Sequence, residues 1–148
     1  MPNDQTAREL EDYLHRAIPL SALMKIRVEK CVGGSITLGA PLSTNHNHLG
    51  TAFGGSLAAL ATLTGYCALW TALGNKDAHI VIRRSNIEYL RPVTGDIRAS
   101  CKLPPDNLVD GFRTQFGRHG KARITLAVSI GENGIECVRF SGEFVAIS

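Results

Sequence analysis

Two kinds of hydrophobic pattern divide this chain of 148 residues. Apolar and polar residues alternate with a period of two over residues 24–40, 79–103 and 122–147, which predicts strands. Apolar residues follow helical spacing near the start of the chain and again over residues 54–73, where Gly74 ends the run. The predicted order is an N-terminal helix (1–18), two strands, a long central helix (54–73) and four strands, in one domain of residues 1–148.

Turn and break signals separate the predicted strands. The first two strands, starting near Met24, are joined at Gly33-Gly34, and the last two at Asn133-Gly134, both typical of tight hairpins. Prolines 104 and 105 break the chain between the fourth strand and the fifth.

The central helix is apolar on every side, which is typical of an interior helix. An α+β fold in which an antiparallel sheet wraps around one long central helix would enclose it. A half-wrapped arrangement of this kind usually needs a partner chain, so we expect a homodimer or a dimer of dimers. A membrane span is not expected, because the run from Leu57 to Leu73 is at the short limit for spanning and contains three threonines and a glycine.

Charge and cysteine usage narrow the class of protein. Residues 31–75 contain no Asp, Glu, Lys or Arg, so all 16 basic and 13 acidic residues lie elsewhere. The net charge of +3 is too weak and too dispersed to predict nucleic-acid binding. Four widely spaced cysteines and a polar N-terminus unlike a signal peptide predict reduced, buried thiols in a cytoplasmic protein.

Two motifs carry a resemblance to a known family. N-x-x-G-T-x-x-G-G (residues 47–55) opens the central helix, and N-I-E-Y-L-R-P (86–92) lies on the following strand. From about Met24 to Ile147 the chain resembles the hotdog fold of acyl-CoA and acyl-ACP thioesterases. More narrowly, it is similar to the thioesterase family whose members also occur fused behind a bacterial GNAT-type acetyltransferase.

The resemblance implies a catalytic centre at the start of the central helix. Backbone N–H groups there are unpaired and lie at the positive end of the helix dipole. We therefore expect the amides near Phe53, Gly54 and Gly55 to stabilise an oxyanion, since glycine leaves room for a substrate carbonyl. By itself, a Gly-Gly pair at a helix start favours close packing of the helix against a strand, and the resemblance reverses that preference.

Asn47 matches the asparagine that, in related enzymes, holds the attacking water or the thioester carbonyl. The alternative is an Asx turn within the loop. Thr62 occupies the position where related enzymes often have a carboxylate, and Phe53 stands where they often have a histidine. Thr62 and Thr64 could orient a water, or they could hydrogen-bond to helix carbonyls.

Because the helix has no Asp or Glu, a general base must come from elsewhere. His46 and His48 are candidates, since imidazole is the usual base near neutral pH. Glu88 is another, although on an alternating strand it could equally belong to a solvated salt-linked face. The pair of histidines lacks a third ligand, so no metal is expected, and thioester hydrolysis implies no cofactor.

The remaining predicted contacts concern substrate binding, and an acyl tunnel is expected beside Leu57, Leu60, Tyr66 and Trp70. The arginine in the Tyr-Leu-Arg-Pro turn is expected to hold phosphates of coenzyme A or of an acyl carrier protein, unless it simply lies on a solvated surface. The alternative function is a non-catalytic acyl-thioester binding or regulatory module. The predicted substrate-binding residues are Asn45, His48, Phe53, Tyr66, Asn86 and Arg91.

Overall fold

Five helices and six strands make up the described part of the chain, residues 4–74 and 78–148 of a computed structural model. The helices are α1 Asp4–Ala17, α2 Pro19–Leu23, α3 Leu42–Asn45, α4 Gly54–Leu73 and α5 Asp106–His119; the strands are β1 Arg27–Val32, β2 Ser35–Ala40, β3 His79–Tyr89, β4 Ile97–Lys102, β5 Lys121–Glu132 and β6 Ile135–Ile147.

The six strands form a single antiparallel sheet in the order β1-β2-β4-β5-β6-β3. Strand β3 therefore lies at one edge, and within the described residues it pairs only with β6. The sheet wraps around α4, which contacts β2, β3, β4, β5 and β6. The predicted α+β class is confirmed.

Helix α4 has the bounds that the sequence predicts. It ends at Gly74, whose φ of 61° is left-handed and whose N–H donates to the Trp70 carbonyl at 2.9 Å. Its length and composition would allow a membrane span, but 61% of its most apolar window is buried inside the protein. The helix is therefore the core of the fold.

Gly65 allows the middle of α4 to lie close to the sheet. The ring of Phe144 on β6, which is fully buried, occupies the space where a Cβ on Gly65 would stand. A larger side chain at this position would have to displace an aromatic ring that has no room to move.

Both predicted hairpin turns are present. Gly33 and Gly34 join β1 to β2 with φ values of 56° and 78°, and Asn133 and Gly134 join β5 to β6 with 55° and 77°. Positive φ at both central residues is the type I′ pattern that favours glycine and asparagine.

The N-terminal region differs from the prediction in two details. Helix α1 ends at Ala17, and Pro19 is the first residue of a second helix, α2, where its fixed φ is tolerated. The predicted helix began at residue 1, and residues 1–3 lie outside the described part of the chain. The first strand begins at Arg27 instead of Met24, because Lys25 has a φ of 57° that interrupts extended backbone.

Helix α5 was not predicted. Its N-cap is Pro105, and it buries Val109 and Phe112 against the sheet. Arg113 Nε donates to the Ala72 carbonyl at 2.8 Å, which joins α5 to the end of α4. The chain break predicted at the two prolines is thus the start of a helix.

Candidate functional site

The loop before α4 is a compact turn closed by its own backbone. His46 and Ala52 form an isolated antiparallel bridge, and Asn47 N–H donates to the Thr51 carbonyl at 2.7 Å. Gly50, with a φ of 81°, takes the left-handed position at the tip. The N–H of Ala52 donates to Val93 O at 2.9 Å, so the neighbouring segment holds this loop in place.

The side chain of Asn47 stabilises this loop. Its Oδ1 accepts hydrogen bonds from the N–H groups of Leu49 at 2.8 Å and Thr51 at 3.2 Å, and its Nδ2 donates to Thr51 Oγ1 at 2.9 Å. This is the Asx-turn alternative. A contact between Asn47 and a water or a thioester would require the side chain to give up these bonds.

Asn45 is a buried structural residue, which corrects its prediction as a substrate contact. It is 2% exposed, and its Nδ2 donates to the carbonyls of Met24 at 2.9 Å and Pro41 at 2.8 Å. The backbone carbonyl of Asn45 accepts a hydrogen bond from the backbone N–H of Phe53 at 2.8 Å. Asn45 therefore joins the loop to the residue that precedes α4.

The first turn of α4 presents free hydrogen-bond donors. Because Phe53 N–H is already bonded to Asn45, it is not available to an oxyanion, which corrects the expectation for that amide. Within residues 4–74 and 78–148, no hydrogen bond uses the N–H groups of Gly54, Gly55 or Ser56, and no side chain caps the helix. These three donors point out of the positive end of the α4 dipole.

Two aromatic rings flank the free donors. The ring of Phe53, 55% exposed, lies over Gly55 and fills the space that a Cβ there would need. On the other side, Tyr89 at the end of β3 lies against Gly54, and its Oη donates to the Gly54 carbonyl at 3.3 Å. Tyr89 was not among the predicted site residues, although its alternation with Ile87 places it on the helix-facing side of β3.

Two of the three threonines of α4, the predicted site residues, point in opposite directions. Thr62 Oγ1 donates to the Ala58 carbonyl at 2.9 Å and is half-buried beside an open groove. Thr64 Oγ1 donates to the Leu60 carbonyl at 2.7 Å and is fully buried in the core. Thr64 therefore cannot reach the site, and both hydroxyls make the helix back-bonds that were the alternative interpretation.

An apolar groove runs along the outer side of α4. Its first part has a volume of about 320 Å³ and lies between α4 and the α1–α2 junction. A second cavity of about 590 Å³ shares Ile18 and Tyr66 with it and extends to Trp70. Leu57 and Leu60, predicted beside the tunnel, instead face the core and are 4% and 0% exposed. The first part is lined by Ile18, Leu20, Ala58, Ala59, Thr62, Leu63 and Tyr66.

Tyr66 and Trp70 belong to an aromatic cluster at the far part of the groove. The Tyr66 ring makes edge-to-face contacts with Trp70 at 5.8 Å and Phe144 at 5.7 Å between centroids. Burial raises the pKa of Tyr66, and a hydrogen bond with the Ile82 backbone partly opposes that effect. Its phenol is therefore neutral at physiological pH.

Several predicted polar residues lie away from the helix start. Asn86 is exposed on the face of β3 opposite to Tyr89, so it is not brought to the site as predicted. Glu88 shares that face and lies 3.9 Å from Arg139, the salt-linked alternative. Arg91 is exposed beyond the end of β3, with its N–H bonded to the Cys137 carbonyl at 3.1 Å.

The two loop histidines are exposed. One ring nitrogen of His46, Nδ1, lies 2.8 Å from the Asn47 carbonyl, and His48 stands at the loop tip. Among the described residues, no three His, Cys, Asp or Glu side chains are grouped so as to hold a metal.

The four cysteines are free and buried, as the sequence predicted. Burial raises the pKa of Cys101 to about 11 and that of Cys67 further still. Thiols held in the protonated form are poor nucleophiles, so neither residue competes with the helix start as a catalytic centre.

Comparisons with known proteins agree with this architecture. The family model described as "Putative thioesterase (yiiD_Cterm)" matches residues 7–148. This chain belongs to that family. Its fold is the hotdog fold, in which an antiparallel sheet encloses a central helix.

Several solved structures match this chain over almost its entire length. A "putative thioesterase" from Shewanella oneidensis is 32% identical with a TM-score of 0.88, and the match covers 98% of this chain and 99% of that one. A protein of unknown function from Chlorobaculum tepidum has the same identity and TM-score, with coverage of 99% and 97%. A "probable thioesterase" from Pseudomonas aeruginosa, 24% identical with a TM-score of 0.80 and coverage of 95% of each chain, shares the fold.

Proposed function

We propose that this protein hydrolyses the thioester bond of an acyl-CoA or an acyl-ACP. The observation that carries the proposal is the set of free N–H groups at Gly54, Gly55 and Ser56, about one helical turn before Ala58, where an apolar groove begins. Donors fixed in this way can stabilise the negative charge that develops on a thioester oxygen during attack by water. The reaction needs no cofactor.

The proposed site lies between two copies of the chain, in a homodimer or a dimer of dimers. Strand β3 has 11 residues and, within the described part of the chain, an unpaired edge. Its residues His79, Ile80 and Val81 line the far part of the groove on α4. Pairing two β3 strands would satisfy the free backbone groups and cover the exposed apolar side chain of Val81. The second copy would then close the groove.

The acyl chain would occupy the groove along α4. The groove starts beside Ala58 in the second turn, and its continuation reaches Trp70 near the end of the helix. Arg91, exposed at the end of β3, is the proposed contact for the phosphates of coenzyme A or of the carrier arm. The free, buried cysteines support a cytoplasmic location.

Activation of the water is assigned to a loop histidine, His46 or His48. Both are exposed on the loop that precedes the free donors, and α4 itself contributes no carboxylate. That same missing carboxylate favours the second candidate function, a module that binds acyl thioesters without hydrolysing them.

Thiol release from a panel of acyl-CoAs and acyl-ACPs tests the proposal, with wild type and Gly54→Ala. A Cβ on Gly54 would lie 3.6 Å from the Tyr89 ring, an ordinary contact, so the variant should fold. It would nevertheless occupy the approach to the donors. We expect kcat/KM to fall at least about tenfold, which corresponds to about 1.4 kcal/mol.

Gly111→Ala is the matched control. It is also a helical glycine, on α5, and a Cβ there would meet open space. We expect its activity to equal that of wild type. Turnover by Gly54→Ala at the wild-type rate would contradict the role of the helix start, whereas tight binding without any turnover would favour the non-catalytic module.

A further inference from the structure

Building on the proposed hydrolysis, we infer that Tyr89 is a catalytic residue, whose hydroxyl donates a hydrogen bond to the thioester carbonyl oxygen beside the free amides of α4. The side chain lies on the helix-facing side of β3, at the point where that strand ends. It is 52% exposed, so a ligand at the helix start can touch it.

The hydroxyl lies beside the first peptide group of α4. Tyr89 Oη is 3.3 Å from the Gly54 carbonyl oxygen and would be 3.9 Å from a Cβ on Gly54. The C=O of Gly54 and the N–H of Gly55 belong to one trans peptide and point in opposite directions, so the hydroxyl shares an acceptor with the amides only after it leaves the carbonyl. Because half of the Tyr89 side chain is exposed, it can turn toward a ligand at the helix start.

The hydroxyl is also available to a ligand. Its bond to Gly54 O is longer than the usual O–H···O distance of about 2.7–2.8 Å. The Gly54 carbonyl can in addition accept the helical hydrogen bond from the residue four positions later, so it does not depend on Tyr89. Losing this long hydrogen bond when the side chain turns toward a substrate therefore costs little.

The chemical step balances without any further reactant. The water oxygen bonds to the carbonyl carbon while the C=O π pair moves onto the oxygen, which accepts hydrogen bonds from Tyr89 and the amides. The pair then returns to re-form C=O and expels the thiolate, and one proton of the water goes to the base. Tyr89 keeps its proton throughout and acts by stabilising charge.

Thr37→Val provides a matched control outside the groove. Thr37 lies on β2, and its Oγ1 is 3.2 Å from the exposed Ser100 hydroxyl. Tyr89→Phe and Thr37→Val each remove one hydroxyl and leave the rest of the side chain nearly the same size, so both variants should retain their packing.

The experiment combines kinetics with the binding of two inert ligands. The first ligand, called the ketone, is an acyl-CoA analogue with a methylene inserted between sulfur and carbonyl. The second, called the thioether, has the same length but lacks the carbonyl. For Tyr89→Phe we expect kcat/KM to fall at least about tenfold, with more of the loss in kcat than in KM. We expect the ketone to bind about fivefold more weakly and the thioether to bind unchanged, since only the ketone has the acceptor. Thr37→Val should match wild type in all three measurements.

Equal losses for the ketone and the thioether would overturn the inference, because Tyr89 would then only shape the cleft. Unchanged turnover in Tyr89→Phe would also overturn it, while leaving hydrolysis in place. Conversely, a ketone-specific loss in a protein without turnover would retain the contact and reject hydrolysis. If the wild-type protein binds neither analogue, both the Tyr89 contact and the proposed hydrolysis are rejected.

Discussion

The two sides of α4 differ more than their similar composition suggests. One side, represented by Leu60, Thr64 and Ala68, is fully buried under the sheet, whereas the other, represented by Ala59, Thr62 and Tyr66, borders the open groove. Thr62 and Thr64 make the same kind of back-bond to the helix. The two threonines therefore differ only in the direction of their side chains: Thr64 packs in the core, and Thr62 can contact a ligand in the groove.

The strongest test of this difference is Leu60→Ala against Thr62→Ala. Leu60 is fully buried, so its truncation should leave a cavity and lower the free energy of unfolding by about 2–5 kcal/mol. Thr62 borders the groove, so its truncation should change the free energy by no more than about 0.5 kcal/mol. Urea denaturation of both variants gives the comparison, and equal losses would contradict the assignment of the two sides.

A second test compares two glycines of the same helix. Gly65→Ala would force a Cβ into the ring of buried Phe144, at an expected cost of about 1–3 kcal/mol in the free energy of unfolding. Gly55→Ala would meet the ring of Phe53, but that ring is exposed and can turn away, so stability should change by less than about 0.5 kcal/mol. Thermal unfolding monitored by circular dichroism distinguishes the two.

A third expected effect is absent at neutral pH and appears only at alkaline pH. Because burial raises the pKa of Cys101 from 9.0 to about 11, the unfolded chain releases this proton first as the pH rises. The stabilising contribution is therefore fully present below pH 9.0 and is lost as the pH rises to about 11, which amounts to about 2 kcal/mol at pH 11.

Cys101→Ala is the control for that loss, since tyrosines and lysines titrate in the same range. The decrease in unfolding free energy between pH 8 and pH 11 should be about 2 kcal/mol smaller in the variant than in wild type. Identical pH profiles for the two proteins would show that the thiol does not titrate differently on folding.

The sequence was most informative where local signals agreed. An uncharged apolar run followed by Gly74 defined α4 to the residue. Helix α5 was missed even though Leu108, Phe112 and Phe116 follow helical spacing, because the two prolines and two internal glycines resemble a loop. The sequence predicts that Pro19 ends the N-terminal helix, whereas in the fold Pro19 is also the first residue of α2.

The site was harder to predict because its contacts are distant in sequence. Asn45 is buried, and its side chain donates a hydrogen bond to the Met24 carbonyl, 21 residues earlier. No local sequence pattern reveals that contact. Tyr89 meets Gly54 from a strand 35 residues further on. By contrast, the burial of Thr64 could have been foreseen, because it shares a helical face with Leu57 and Leu60.

Trp70 gives the protein a built-in optical reporter. It is the sole tryptophan of the chain, and its indole meets the ring of Tyr13 on α1 edge to face, with centroids 4.9 Å apart. The fluorescence emission of Trp70 will therefore report the detachment of α1 from α4. Far-ultraviolet circular dichroism would show this local event only weakly, because it measures the secondary structure of the whole chain.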